Sequence, residues 1–574
     1  MIERSEKNIM RYSKIIIVPL LLITPLFAKK YYIRHQNGNQ IIIINEKHQI
    51  ISNSFIDFLR NIQSKDTLLF KRGEVFKLPV NIIGKKDIVI KDYGSKKLNK
   101  PIIDTRYSIP PQKIEYFDVL YDENLTQDKS FKSLESAFRK NYARVKGSIR
   151  DKIAKSFLDV KKNIYSVVRV KLDFINFDPN ALRVWVNNKE RLKSLLFEEL
   201  KCDNCSQKIK WFYDKKYKYL YLFALKADVD LWKDAQNIKI NSVILDSLNL
   251  SDDENITIQN LDIRGSKYAI GIRGSKNILI EKCKIGRYSF TGIDIMNDID
   301  DYNKSSENIV IQNCTIEAGY NGGKYRYLSS RGVQDGIFIV GGVKNSLIKD
   351  NTVNNWGHSG INLYSPSSKN SVTGNHITNN VINGDKMPYM HGITVDGSNC
   401  VKNEISSNII KNTTARNQLN GAYNIFSKNI IYNLKNSQIK LDQGYSAGQG
   451  IQLQAYGKTN IAKNNIIKNN LFAKIDEAAI SVVNYRDDGI KKNNVFKNNV
   501  ILNSGLKNNN IALEIINYSK NDAIKGNSFI QNRFKLLDSK PKINYRGKIL
   551  SIEEFNEQNG ENNDTIDKNT VFKE

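Results

Sequence analysis

The sequence predicts an all-β chain wound as a solenoid, because two short motifs recur in phase along its second half. The first is a column of small polar residues, each opening an apolar, often β-branched segment: Asn351, Asn375, Asn408, Asn429, Asn465, Asn499 and Asn527. Cys283 and Cys314 hold the same place earlier. The spacing runs from 21 residues (Asn408 to Asn429) to 37 (Cys314 to Asn351) while the local pattern persists. A helical repeat keeps its period; a β-solenoid keeps its strands and turns and lets its loops vary. Stacked Asn side chains can bond to the coils above and below, which satisfies polar groups inside the stack.

The second motif is x-Gly-Ile-x-Ile or a near variant. It occurs at Ile270-Gly271-Ile272, Thr291-Gly292-Ile293, Asp335-Gly336-Ile337, Ser359-Gly360-Ile361, His391-Gly392-Ile393, Asn420-Gly421-Ala422, Gln449-Gly450-Ile451 and Ala478-Ala479-Ile480. Strand alternation turns the Ile positions inward and every second residue outward. The two motifs together resemble a right-handed parallel β-helix, the architecture of pectate-lyase-like proteins.

Residues 1–28 read as a secretory signal: Lys7, Arg11 and Lys14 precede the apolar run Ile15 to Phe27, with Ala28 at the cleavage point. That run is short for a bilayer span. The expectation is a secreted or periplasmic protein with no membrane span once the signal is removed. Residues 29–111 form an N-terminal cap and the first coils, with a short helix near Phe55 to Ile62 and a strand at Thr67 to Phe70. The stretch Lys65 to Phe76 (KDTLLFKRGEVF) resembles the opening of secreted β-helix proteins that act on polysaccharides. There a helix caps the first coil and shields its open edge. Residues 112–240 interrupt the solenoid with a charged helical segment, Ser130 to Phe157, and several strands. Arg183-Val184-Trp185-Val186-Asn187 ahead of Trp211-Phe212-Tyr213-Asp214 resembles the small β-domain inserted in related β-helix proteins. Its aromatics read as the core of that sheet rather than as sugar platforms. The coils run over 241–535, and 536–574 is a polar tail.

With 574 residues, 40% of them hydrophobic, the chain can bury a large core as one elongated unit. It is expected to act as a monomer. Five cysteines give no disulfide framework, although Cys202 and Cys205 fit a local pair in an oxidising compartment. Cys283 and Cys314 would stack as packed thiols. The net charge of +28 favours a polyanion, here an acidic polysaccharide, although the Lys-, Asn- and Ile-rich composition also follows AT-rich coding. Nucleic acid is disfavoured because no compact basic run is interleaved with aromatics.

Chemistry is expected where long loops meet the coils. The stretches Cys314 to Gly336 and Asn375 to Gly392 are long, and they flank a short coil carrying NNWGHS at 354–359. Three of the five histidines, His358, His376 and His391, fall in this window. In register, Asp335, Ser359 and His391 share one row with His358 beside it; Asn362 neighbours Thr394, and Tyr364 neighbours Asp396. His376 follows a ladder Asn and reads as structural. The candidate catalytic residues are therefore His391, His358, Asp335, Tyr364 and Asp396. Arg331, Asn362, Thr394, Lys386 and Tyr389 are candidates for substrate binding, with Lys324 and Arg326 as further cations.

A lyase cleaving a uronate polysaccharide by β-elimination would use His391 or His358 as base, Tyr364 as acid and Arg331 as carboxylate neutraliser. His391 is expected to line an open cleft as a neutral base. A glycoside hydrolase would instead pair Asp335 with Asp396, with Asp294 as a third carboxylate. A uronan C5-epimerase or a non-catalytic glycan-binding surface protein completes the alternatives. Gly357-His358-Ser359-Gly360 resembles the Gly-His-Gly of polygalacturonases, but that family's Asn-Thr-Asp, Asp-Asp and Arg-Ile-Lys companions are missing. The Asp-Pro-His-Asp motif of the epimerases is missing as well. No metal site or cofactor is required; Ca2+ on Asp294 and Asp396 is conceivable, though no calcium loop motif is readable.

Overall fold

The computed structural model describes residues 28–120 apart from 37–39. Of 121–245 it describes the segments 164–172, 183–186, 189–193, 210–214, 218–225 and 237–240. It describes 246–551 apart from residue 266 and the loops 298–302, 319–334, 366–369, 385–389, 437–439, 442–443, 446–447, 456–460, 485–489, 519–523 and 537–539, with a few residues of the tail. The expected signal segment up to residue 27, the helix from Ser130 to Phe157, and Cys202 and Cys205 lie outside the described residues.

The coils form a parallel β-helix. One coil runs from Ser359–Tyr364 through Val372–Thr373, His376–Thr378 and Val381–Asn383, and the next begins at His391–Asp396. Each strand pairs in parallel with its counterpart one coil on. We call the four stacks the front, bridge, back and base sheets; they contain 13, 8, 16 and 13 strands respectively. The core is a set of aliphatic columns. Ile311, Ile348, Ile377 and Ile405 stack down the back sheet, Ile316, Val353, Ile382 and Ile410 down the base sheet, and Ile337, Ile361 and Ile393 down the front. All are buried.

Sharp corners make these columns possible. At each corner flanking the back sheet one residue takes the left-handed conformation, as Asn379, Ser407 and Lys428 do at φ 57°, 58° and 56°. Asn tolerates that region better than most residues, which accounts for many of the chain's asparagines. The next residue turns inward and stacks. Two such columns exist, five residues apart in sequence. One runs Asn351, Asn380, Asn408, Asn429, Asn470, Asn499, Asn532, continuing Cys283 and Cys314. The other runs Asn375, Asn403, Asn424, Asn465, Asn494, Asn527. The single column read from the sequence thus mixes two: Asn375, Asn465 and Asn527 belong to the second. That mixing exaggerated the irregularity of the spacing. Both columns use one rule, in which Oδ1 accepts from the backbone N and Nδ2 of the preceding Asn, as Asn408 does from Asn380 at 3.0 Å each; at Asn465 only the backbone N of Asn424 donates.

The Gly-Ile motif also needs correcting at two places. Gly336, Gly360 and Gly392 open front-sheet strands; a Cβ on Gly336 would lie 2.5 Å from Val353 Cγ1, and on Gly392 2.4 Å from Ile410 Cγ2. Glycine is required where the front sheet closes onto the base sheet. Gly271, however, pairs with Asp294 in mid-strand, and Gly421 belongs to the bridge sheet. The front-sheet strand of that coil is Asn417–Leu419.

At the N-terminus the helix Phe55–Asn61 is capped by Ser54 and buries Phe55, Phe58 and Leu59 over the first coil. The inserted sheet has eight strands in the order 114–120, 164–171, 219–225, 210–214, 189–193, 184–186, 238–240 and 107–108, so it reaches back beyond the expected start at 112. Trp211 and Tyr213 lie in its core. Arg183 fastens it to the solenoid: the buried guanidinium donates to the carbonyl oxygens of Tyr288 and, at 2.8 Å, Ala318. Beyond 535, residues read as a polar tail add further rungs, with Lys542–Tyr545 on the front sheet and Thr565–Ile566 and Val571–Lys573 on the back and base sheets. Among the described residues no helix is long and apolar enough to cross a membrane.

Candidate functional site

The front sheet's outward side carries three rows of side chains. The leading row includes Thr291 beside Asp335 and Ser359 beside His391. The middle row runs Asp294, Phe338, Asn362, Thr394, Gln418, and the trailing row Met296, Val340, Tyr364, Asp396. The predicted pairs Asn362–Thr394 and Tyr364–Asp396 are therefore neighbours, as is Ser359–His391.

Asp335 is the hub of the leading row. It is fully buried, and its Oδ1 accepts from the Ser359 backbone N at 2.8 Å and pairs with His358 Nδ1 at 3.0 Å. Its Oδ2 accepts from Asn362 Nδ2 at 3.0 Å. Thr394 Oγ1 bridges onward, donating toward Asn362 Oδ1 at 2.8 Å and Ser359 Oγ at 3.1 Å. Ser359 Oγ also lies 3.1 Å from His358 Nδ1, the nitrogen that Asp335 already holds. A Ser–His–Asp triad needs serine and carboxylate on opposite ring nitrogens, so this is not one. With Nδ1–H given to Asp335, the lone pair of a neutral His358 resides on Nε2.

The two histidines meet edge-on at 5.2 Å between ring centroids, yet their environments differ. Burial pulls the His358 pKa down, but the charge and hydrogen bond of Asp335, with Asp396 behind, outweigh it and leave it raised above 6.5. For His391, burial, the neighbouring His358 and the Arg416 cation all act downward, and its pKa falls well below 6.5. Its Nδ1 lies 2.8 Å from the Arg416 carbonyl, which fixes the ring. Trp356 lies beneath, buried, donating Nε1–H to the His391 carbonyl at 2.8 Å.

The expectation that His391 lines an open cleft is not met. It is only 3% exposed, whereas the His358 side chain is 27% exposed. Tyr364 is 37% exposed, and its ring stacks on Phe338 at 6.3 Å and 22°. Its hydroxyl pKa is raised, by burial first and then by Asp396, so it stays protonated. Asp396 Oδ1 accepts from Gly397 N, Asn420 Nδ2 and Gln418 Nε2 at 2.9, 3.1 and 3.2 Å. His376 is exposed on the back sheet beside Glu404, away from this cluster. Arg331, Lys386 and Tyr389, like Lys324 and Arg326, lie outside the described residues.

Two features escaped the sequence reading. Arg416 precedes the true front-sheet strand 417–419; taking Asn420-Gly421-Ala422 as that strand hid its place beside the histidines. Upstream, Asp294 is paired with Arg273 at 2.5 Å. Asp246 lies beside them, its carboxyl pushed up to about 6 by burial, against the pull of Arg273. Gly271 makes the room: a Cβ there would sit 2.1 Å from Asp246 Oδ2.

Residues 246–416 match a family model described as a right handed beta helix region, and the chain is a right-handed parallel β-helix. No curated protein sequence matches it. Solved structures similar to it include an alginate lyase from Paenibacillus sp. str. FPU-7, at 10% identity, TM-score 0.32, over 78% of this chain and 91% of that one. A GH87 alpha-1,3-glucanase catalytic domain in complex with tetrasaccharides gives 12%, 0.40, 71% and 91%. The Siphovirus 9NA tailspike receptor binding domain gives 11%, 0.35, 87% and 75%. At these identities the likeness is one of fold.

Proposed function

We propose that the protein is an exported, polysaccharide-active enzyme that cleaves an acidic, uronate-containing chain by β-elimination on the front sheet. The observation that carries this reading is the partly exposed His358, held through Nδ1 by a buried Asp335. That arrangement fixes the ring and leaves Nε2 as the basic atom, with a pKa moved toward the working range of a general base. In the proposed step His358 Nε2 takes the C5 proton of a uronate, and the electron pair becomes a C4–C5 double bond. The C4–oxygen bond breaks, and the leaving oxygen takes its proton from the Tyr364 hydroxyl. The Arg416 cation, beside the two histidines, neutralises the substrate carboxylate. His391, buried and neutral, positions His358 rather than acting as the base.

The hydrolase alternative is weakened by Asp335. Both its oxygens already accept hydrogen bonds inside the protein, so it is poorly placed to serve as acid or nucleophile at a glycosidic bond. The deciding experiment incubates the protein with acidic and neutral polysaccharides and follows both reducing ends and the ultraviolet absorbance of an unsaturated uronate. Both signals together are expected on an acidic polymer. Reducing ends without the absorbance would make it a hydrolase, and binding without either would make it a glycan-binding protein.

A further inference from the structure

Cations crowd the outward side of the base sheet at its N-terminal end, where the inserted sheet lies against it. Ile103, Ile263, Ile285 and Ile316 fill the core there, so Asp104, Arg264, Gly286 and Glu317 beside them form one outward row. Arg106 grips Asp104 through two hydrogen bonds, at 2.8 and 2.6 Å, and Arg264 grips Asp262 in the same two-pronged way. Both carboxylates are therefore already matched. Lys239 enters from the inserted sheet, with its Nζ 3.8 Å from Asp104 Oδ2. Lys77 follows the strand Val75–Phe76, which pairs with Ile102 and Ile103, and so sits beside Asp104. With Arg287 the group holds five cations against two carboxylates, an excess of three. Lys284 and Glu317 on the same sheet add one charge of each sign and leave that excess as it is.

Arg287 stands out within this group. Among the described residues its side chain makes no hydrogen bond or ion pair. It occupies the corner one coil beyond Gly265, whose missing side chain makes room for Arg106: a Cβ there would lie 3.0 Å from Arg106 Cγ. At that corner Arg287 holds φ 57°, a conformation that residues other than Gly, Asn and Asp adopt reluctantly. Burial first, and then Arg106 and Arg264, push its pKa down to about 10 despite the pull of Asp104 and Asp262. The protein thus leaves this charge unbalanced. Solvent reaches the group: Arg287 is partly exposed and Lys77 exposed, and the side chains of Arg264 and Lys239 are 20% and 16% exposed. An anion can approach from outside without any cavity having to open.

We infer that this seam binds a phosphate group, free or carried as an ester, held by Arg287 with Arg264, Lys239 and Lys77 around it. A guanidinium presents paired N–H donors that match two phosphate oxygens, and ammonium groups add charge without a fixed direction. A phosphate ester near pH 7 carries about −1.5 to −2, which offsets most of the excess, where one carboxylate would offset a third of it. A phosphate bound here also ties the inserted sheet, through Lys239, to the first coils of the solenoid. The site lies on a different sheet from the histidines, and the inference does not depend on what they cleave.

The test is calorimetric titration of the full-length protein with inorganic phosphate and with glucose 6-phosphate, each against chloride at matched ionic strength. At least one of the two is expected to bind and to raise the melting temperature. Binding of the ester would assign the group to a larger ligand, and binding of inorganic phosphate alone would assign a free ion; both support the inference. Arg287→Gln should weaken binding by about tenfold or more, the worth of a charge-assisted hydrogen bond. In phosphate-free buffer the same variant should keep or raise the melting temperature, because it relieves the repulsion from Arg106 and Arg264. Lys497→Gln removes an equal charge from an exposed position on the back sheet and should leave binding unchanged. The inference is overturned if neither phosphate is distinguished from chloride, if Arg287→Gln binds as tightly as the wild type, or if Lys497→Gln weakens binding equally. It is overturned as well if Arg287→Gln melts lower without phosphate, since its charge would then be matched inside the protein.

Discussion

Lys491 should destabilise the protein in a pH-dependent way, and replacing it by Met should reveal how much. The side chain sits on the bridge sheet between Ala462 and Ile524, fully buried, and its Nζ has no hydrogen-bond partner. Burial lowers its pKa from 10.5 to about 7. At about 1.36 kcal/mol for each tenfold change in proton affinity, that drop corresponds to roughly 5 kcal/mol of stability lost when the amine must be charged. The unfolded chain keeps the proton up to pH 10.5, whereas the folded chain gives it up from about 7. The unfolded state therefore binds more protons between those values, and wild-type stability rises with pH across that window. Lys491→Met removes the titrating group while keeping the length of the side chain. It should raise the unfolding free energy by about 3–5 kcal/mol at pH 6, and the gain should shrink by about 1.4 kcal/mol per pH unit above 7. Urea titrations at pH 6, 7, 8, 9 and 10 measure the gap directly. A gain that does not vary with pH, or no gain at pH 6, would show that the amine reaches water or an anion and that the reasoning is wrong.

Four further outcomes are expected. His358→Gln should lower turnover on an acidic polysaccharide by about 10²–10⁴-fold, the usual size of a general-base contribution, with steady-state rates as the readout. The rising limb of the wild-type pH–rate profile should lie above pH 6.5 and move to lower pH in Asp335→Asn, since Asp335 is what raises His358; an unmoved limb would clear Asp335 of that role. Asn408→Leu deletes four side-chain hydrogen bonds, to Asn380 N, Asn380 Nδ2, Ile377 O and Asn429 Oδ1. It should cost about 2–5 kcal/mol in denaturant titrations, because the abandoned partners stay buried. Gly336→Ala forces a methyl to 2.5 Å from both Gly360 O and Val353 Cγ1, so a loss of about 1–3 kcal/mol is expected, checked by thermal melting.

The fold was legible because a stacked coil must repeat its corner and its inward aliphatics, and both leave marks one residue wide. Front-sheet register was readable for the same reason, which placed Ser359 by His391 and Tyr364 by Asp396 correctly. Resolution failed where two marks look alike. The two Asn columns share one local sequence pattern, so Asn375 and Asn408 could not be told apart without the pairing of their strands. Gly421 resembles a front-sheet glycine but opens a bridge-sheet strand at φ 80°, and that misreading concealed Arg416. Burial was the least legible property. Nothing in a strand sequence says that His391 is closed over and His358 is not, because this depends on what neighbouring coils lay across each ring.

The amide columns also give the solenoid a direction and a seam. Along most of each column the amide-to-amide hydrogen bonds run from the N-terminal Asn to the next one on, so they polarise one another in the same sense. The columns begin at Asn351 and Asn375; upstream, the same corners hold Leu261, Cys283 and Cys314 in one column and Ile278, Ile309 and Ser346 in the other, where thiol, hydroxyl and backbone bonds stand in for the side-chain amides. Tension applied from the two ends would therefore peel the coils without amide ladders first and stall at the zipped ones. The histidine pair lies on the coils where that change occurs, so the site is braced on one side and compliant on the other, like a jaw with one fixed plate.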